Sequence, residues 1–153
     1  MNENKVNNVK IKDNEASVEV EVVDKTEVVD NVHLLNSKDV KTIEYKIKLN
    51  YNFNISVENA LDNIYLIVLY DGDVMKTLIN GEVVNDNFNN GKACKIGLKG
   101  YGYPKEIVFR IYGLDEDNDK YFDENIEYKD GFACELKNIE TICNYKKLIY
   151  ENE

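Results

Sequence analysis

The sequence contains no tryptophan, and proline, histidine and arginine occur once each. Its 19 basic residues stand against 29 acidic ones, which gives a formal net charge of −10. Proteins bind phosphate backbones through clustered Lys and Arg, so this balance argues against nucleic acid as a partner. It argues equally against attachment to an anionic bilayer. An acidic surface of this kind favours solubility, cation binding or a basic partner.

Long apolar segments and targeting signals are also missing. The longest apolar run, Ile64–Tyr70, has seven residues, whereas a membrane-spanning helix needs about 20. Met1–Lys5 has neither a basic n-region nor an apolar stretch after it, so no signal peptide and no membrane insertion are predicted. Two interpretations of the compartment stay open, a cytoplasmic protein and a domain excised from an exported chain.

Catalytic groups are scarce. Any Ser–His or Cys–His arrangement would have to use the single histidine, His33, which lies among apolar neighbours. The three cysteines form no C-x-x-C pair and are interpreted as small core residues. No glycine-rich phosphate loop is present. The chain is therefore predicted not to be an enzyme and to need no cofactor, with calcium as the one candidate ion.

What the sequence does contain is period-two alternation, which places side chains on opposite faces of a strand. Between Ile43 and Ile55, apolar and polar residues alternate over thirteen positions, which excludes a helix there. Ile64–Tyr70 is apolar at every position and is predicted to be a central strand covered on both faces. Shorter strand faces are formed by Val18, Val20 and Val22, by Cys94, Ile96 and Leu98, and by Ile107, Phe109 and Ile111.

Turn residues separate these strands. Asn80-Gly81 lies between two apolar runs and predicts a type I′ hairpin. Asn85–Gly91 is predicted to be an exposed loop, and Ser56–Asn63 is the one segment with a helical pattern. Roughly nine strands at such intervals predict one all-β domain over residues 1–153, a two-sheet antiparallel β-sandwich of immunoglobulin-like or jelly-roll type. Without Trp, the Cys…Trp…Cys signature of immunoglobulin domains is absent, and no family is assigned.

One acidic loop has the spacing of a metal site. Its four aspartates are Asp115, Asp117, Asp119 and Asp123. Calcium takes six to eight oxygen ligands, and alternate carboxylates in a tight loop can supply them. The loop is not an EF-hand, because the positions that require Gly and Glu hold Lys120 and Ile126. Two interpretations stay open: a calcium site, helped by Asp71 and Asp73 if they lie at the same end, or a solvated acidic turn.

A second loop, Lys99–Pro104, carries Tyr101 and Tyr103 between glycines and the single proline. These rings are candidates for contact with a partner surface or a sugar. The alternative is that one ring caps the core while its hydroxyl meets the backbone.

Three classes of function follow. The first is a non-enzymatic interaction or structural module with a protein partner or self-association. Abundant Asn, Lys, Ile and Tyr indicate AT-rich coding, so such a module suits a bacterial surface, coat or phage assembly. The second is a calcium-stabilised carbohydrate- or ligand-binding module. The third, a carboxylate-dependent hydrolase, rests only on the abundance of acidic residues.

Overall fold

The computed structural model describes residues 16–28, 41–53, 61–116 and 128–146, which lie mostly in β-strands. These ranges contain one 3-10 turn, Lys99–Tyr101, and no α-helix, and nothing in them is a helix long and apolar enough to cross a membrane. The strands are β1 (Ser17–Val28), β2 (Thr42–Asn52), β3 (Leu61–Asp71), β4 (Val74–Ile79), β5 (Glu82–Phe88), β6 (Cys94–Gly97), β7 (Glu106–Tyr112), β8 (Leu114–Asp115), β9 (Phe132–Ala133) and β10 (Glu135–Tyr145).

These strands form two main antiparallel sheets. Five strands pair in the order β1-β2-β7-β4-β5, and three pair in the order β10-β3-β6. The short pair β8-β9 stands apart from both. Buried side chains from the two main sheets belong to one core cluster. The predicted all-β sandwich is therefore confirmed.

The core is built from alternate residues of the central strands. Their buried members are Ile43, Tyr45, Ile47 and Leu49 of β2, Ile64, Leu66, Val68 and Tyr70 of β3, and Ile107, Phe109 and Ile111 of β7. Their neighbours in sequence point to the outside of the sandwich, since side chains alternate along a strand. Buried and exposed residues of β2 therefore follow the predicted alternation. The strand itself ends at Asn52, before the predicted end of the alternation at Ile55.

The β4–β5 hairpin turns at Asn80 and Gly81, as predicted. Their φ angles are +54° and +80°, and a type I′ turn requires positive φ at both positions. The prediction of an exposed loop over Asn85–Gly91 is wrong for its first four residues, because β5 continues to Phe88 and stays paired with β4. A register shift beside Thr77 lets the pairing continue, and an edge strand tolerates polar side chains.

β3 is central in its sheet, as predicted, because it lies between β10 and β6. The prediction that β3 is covered on both faces is wrong. Leu69 on the second face is 44% exposed, while Leu66 and Val68 on the core face are fully buried. His33 and residues 56–60, the greater part of the segment predicted to be helical, lie outside the described residues. Leu61–Asn63, the remainder of that segment, belong to β3.

The chain crosses between the sheets in two residues, Gly72 and Asp73, which join β3 to β4. The backbone N–H of Asp73 donates to the carbonyl of Tyr112 at 2.8 Å, which ties this crossover to the end of β7. A Cβ on Gly72 would lie 2.6 Å from Cγ2 of Ile111 and 2.9 Å from the Tyr112 carbonyl oxygen. Only glycine allows the two strands to approach so closely.

Gly72→Ala is therefore expected to lower the free energy of unfolding by about 2 kcal/mol or more, since the added methyl group meets backbone as well as a side chain. Gly100→Ala is the matched control, because a Cβ there meets nothing within 4 Å. Urea denaturation of both variants measures the difference. Equal stability of the two variants would contradict the tight crossover.

Candidate binding surface

The loop with the two tyrosines is held by its own backbone. The carbonyl of Leu98 accepts hydrogen bonds from the N–H groups of Tyr101 and Tyr103, both at 3.1 Å. Gly102 and Tyr103 then take left-handed conformations, with φ of +74° and +52°. A side chain costs roughly 1–2 kcal/mol in that region, so the surrounding packing has to hold Tyr103 in place.

That packing is an aromatic cluster. The ring of Tyr103 lies edge-on to Tyr51 and Phe53, with centroids 5.8 Å and 6.0 Å away. The hydroxyl of Tyr51 donates to the carbonyl of Pro104 at 2.6 Å. Burial, with a smaller contribution from Tyr103, raises the pKa of Tyr51 well above its ordinary value. The ring of Tyr103 thus packs against the core, as the second interpretation of this loop expected, while the contact of its hydroxyl with the backbone stays a prediction.

Tyr101 faces the other way. It is 40% exposed, and its hydroxyl lies 3.4 Å from the carbonyl of Val84. The structure therefore separates the two candidate contact residues, with Tyr103 half-buried and Tyr101 on the surface. Contact of either ring with a ligand stays a prediction.

The acidic loop is only partly described. Asp115 is half-buried at the end of β8, while Asp117, Asp119 and Asp123 lie outside the described residues. The hydrogen bond from Asp73 to Tyr112 places the β3–β4 crossover at the same end of the sandwich as Asp115. Within the described ranges, no three His, Cys, Asp or Glu side chains are grouped to hold a metal ion. The calcium site stays a prediction.

A cleft of about 280 Å³ lies on the outside of the five-stranded sheet and contains Glu44 and Glu106. Nε of Arg110 donates to Glu44 at 2.6 Å, and Nζ of Lys46 lies 4.0 Å from Glu106. Glu44 is opposite Arg110, four residues from Glu106 along β7, so the two backbones are separated by about 13 Å. Each of these carboxylates lies against a basic side chain, and the hydrolase therefore stays supported only by the abundance of acidic residues.

None of the three cysteines forms a disulfide bond. Cys94 is buried, and Cys134 and Cys143 pack against the core. The Cys134 thiol lies 3.2 Å from the carbonyl of Ile111, and burial raises its pKa to about 11. This group is protonated at neutral pH and is not the thiolate that nucleophilic catalysis needs.

The outside of the three-stranded sheet is apolar at its centre. We call it the outer face. Its residues, read from the cross-strand register, are Tyr65, Ile67 and Leu69 of β3, Asn138, Glu140 and Ile142 of β10, and Lys95 and Gly97 of β6.

Apolar side chains follow one another along the middle of the outer face. Along β3, Leu69 is 44% exposed and Ile67 and Tyr65 are half-buried. Ile142, which lies opposite Tyr65 on β10, is also 44% exposed. Gly97 leaves room for the ring of Tyr65, because a Cβ there would lie 3.2 Å from the ring. Nζ of Lys95 lies 4.2 Å from the centroid of the same ring, which adds a cation–π attraction.

Polar groups border this apolar centre at both ends. Nζ of Lys137 lies 3.5 Å from the carboxylate of Asp71 at one end. At the other end, the side-chain oxygen of Asn63 accepts from the N–H groups of Ile64 and Lys99 at 2.8 and 3.0 Å. An apolar centre with a polar border is the usual anatomy of a protein–protein interface.

The outer face could not be recognised in the sequence. An apolar run such as Ile64–Tyr70 is equally compatible with a strand covered on both faces and with one that turns a face outward. The sequence does not show which residues of the neighbouring strands lie opposite the residues of this run. No protein-family model, curated protein or solved structure matches the chain.

Tyr51→Phe is expected to lower the free energy of unfolding by about 1 kcal/mol, because the Pro104 carbonyl loses its donor. It should also remove one phenol from the late part of an ultraviolet alkaline titration, since the pKa of Tyr51 is raised. Tyr101→Phe, whose hydroxyl makes only a long contact, is the control and should change stability by less than about 0.5 kcal/mol. A late phenol that persists in Tyr51→Phe would contradict the burial of this hydroxyl.

Proposed function

We propose that this domain is a non-enzymatic interaction or structural module and that the outer face is its binding surface. The observation that supports the proposal is the apolar centre of that face, where Leu69 and Ile142 are each 44% exposed. Scattered apolar residues are normal on a protein surface, whereas contiguous ones indicate interaction sites. On the outer face, apolar residues of hydrogen-bonded neighbouring strands lie next to one another.

Covering this face would contribute favourable free energy to binding. Burial of apolar surface contributes roughly 25 cal/mol per Å², and the half-exposed side chains still have much of that contribution to give. The strands under the face are rigidly paired, since β3 has hydrogen-bonded neighbours on both sides. Little conformational entropy is therefore lost on binding. An assembly such as a bacterial surface layer, a coat or a phage particle would use such a surface.

The double variant Leu69→Ser/Ile142→Ser tests the binding surface. We expect native wild-type protein to raise the fluorescence of 8-anilinonaphthalene-1-sulfonate, a dye that reports exposed apolar surface, and the double variant to lose most of that signal. Stability should change little, because both side chains are half exposed.

Val23→Ser/Val83→Ser is the matched control, because these residues are 44% and 48% exposed on edge strands of the other sheet. It should keep the dye signal of the wild type. Equal dye binding by both double variants would contradict the assignment of the outer face as the binding surface.

A calcium-stabilised carbohydrate- or ligand-binding module is the second proposal. The observation that favours it is the exposed ring of Tyr101 on a turn fixed by backbone hydrogen bonds, since aromatic rings stack on sugars. It also needs the acidic loop around Asp115 to take up calcium. The outer face plays no part in this proposal.

If the domain binds calcium, we expect its melting temperature to be higher in millimolar calcium than in the presence of a chelator. Saturation at about 100 times the dissociation constant would add roughly 2.7 kcal/mol of stability. Asp117→Asn/Asp119→Asn should abolish the effect, and Asp62→Asn/Asp86→Asn should keep it. Tyr101→Ala should in turn lose glycan binding on an array. Identical melting with calcium and chelator, together with an empty array, would exclude this function.

A further inference from the structure

We propose that the partner of the outer face is a second copy of this chain, packed face to face about a two-fold axis that runs along the strands. The inference rests on the proposed function, since it names the occupant of that same surface. It is carried by the arrangement of charge across the face.

One row of the outer face has opposite charges at its two edges. Ile67 at the centre pairs with Lys95 on β6 and with Glu140 on β10. Both charged residues are exposed. The row therefore runs from cation through apolar side chain to anion.

A two-fold axis along the strands brings the β6 edge of one copy over the β10 edge of the other. Lys95 then faces Glu140 of the second copy, the reverse pair forms on the other side, and Ile67 meets its own equivalent at the centre. A two-fold axis across the strands would instead set Lys95 against Lys95 and Glu140 against Glu140. The charge pattern therefore selects one of the two symmetric arrangements, and an isologous interface requires such self-complementarity.

The net charge of −10 opposes association of two copies, but the outer face is close to neutral. Lys95 balances Glu140 in the central row, and Lys137 lies against Asp71 at the end of the face. At physiological ionic strength, charges more than about 8 Å away are largely screened. The attraction between two outer faces and the repulsion between the acidic surfaces of the two copies therefore act at different places.

The size of the face sets the expected strength. β3 and β10 have eleven residues each and β6 has four. At about 3.4 Å per residue and about 4.8 Å between strands they cover about 420 Å², compared with about 800 Å² per partner in a standard interface. The dimer is therefore weak, and we expect it to form at concentrations of roughly 0.1 mM and above.

Sedimentation equilibrium across a concentration series at physiological salt tests the proposal with three samples. Lys95→Glu gives both edges of the row negative charge, and Glu140→Lys gives both edges positive charge. Each variant alone should dimerise roughly tenfold more weakly than wild type, since two attractions become two repulsions. An equimolar mixture of the two should recover association, because each cation then faces an anion.

Two matched variants control for the change in net charge. Lys105→Glu and Glu82→Lys alter the same charges at exposed positions outside the outer face and should dimerise like wild type after correction for overall repulsion. Thermal melting checks that every variant is folded.

Strictly monomeric wild type, or dimers that the charge reversals leave unchanged, would overturn the second copy as partner. So would a mixture of the reversed variants that stays monomeric. If the wild type is monomeric but binds the dye through the outer face, the interaction module stands and its partner is another protein. Loss of both signals would remove the proposed function as well.

Discussion

The apolar layer between the two sheets is the interaction on which the other features of the domain depend. Each fully buried Ile, Leu or Phe side chain contributes about 1.5–3 kcal/mol, and the central strands β2, β3 and β7 supply most of them. To keep this layer covered, the chain passes from one sheet to the other. The close approach at Gly72 is a direct consequence, since the crossover has only two residues to span the edge of the core.

The same layer determines which residues of β3 face outward. The core uses alternate residues of β3, and the intervening Tyr65, Ile67 and Leu69 necessarily point away from it. In the five-stranded sheet the corresponding outward positions carry Glu44, Lys46 and Arg110, which form ion pairs. Apolar residues also lie on that side, among them Leu78 opposite Val83 and Val108. The outer face is distinguished by Lys95 and Glu140 at the two edges of its apolar centre.

The described parts of the two loops singled out in the sequence, Tyr101–Tyr103 and Asp115, lie at opposite ends of β7. Tyr103 precedes β7 and Asp115 follows it, so the length of that strand separates them. Tyr103 also shows how a loop residue can be recruited by the core, since its contacts with Tyr51 and Phe53 offset the cost of its left-handed backbone.

Alternation and turn chemistry alone determined the all-β class, the faces of β2 and β7 and the hairpin at Asn80-Gly81. These depend on neighbours in sequence, because strand period and positive φ are local properties. Tertiary structure decided the rest: β5 continues past Asn85, Tyr103 rather than Tyr101 caps the core, and Ile64–Tyr70 is covered on one face. Each of these outcomes depends on which strand lies opposite, and cross-strand register is set by the packing of the whole chain. Lys95, Ile67 and Glu140 are distant in sequence and form one row only after the sheet has paired.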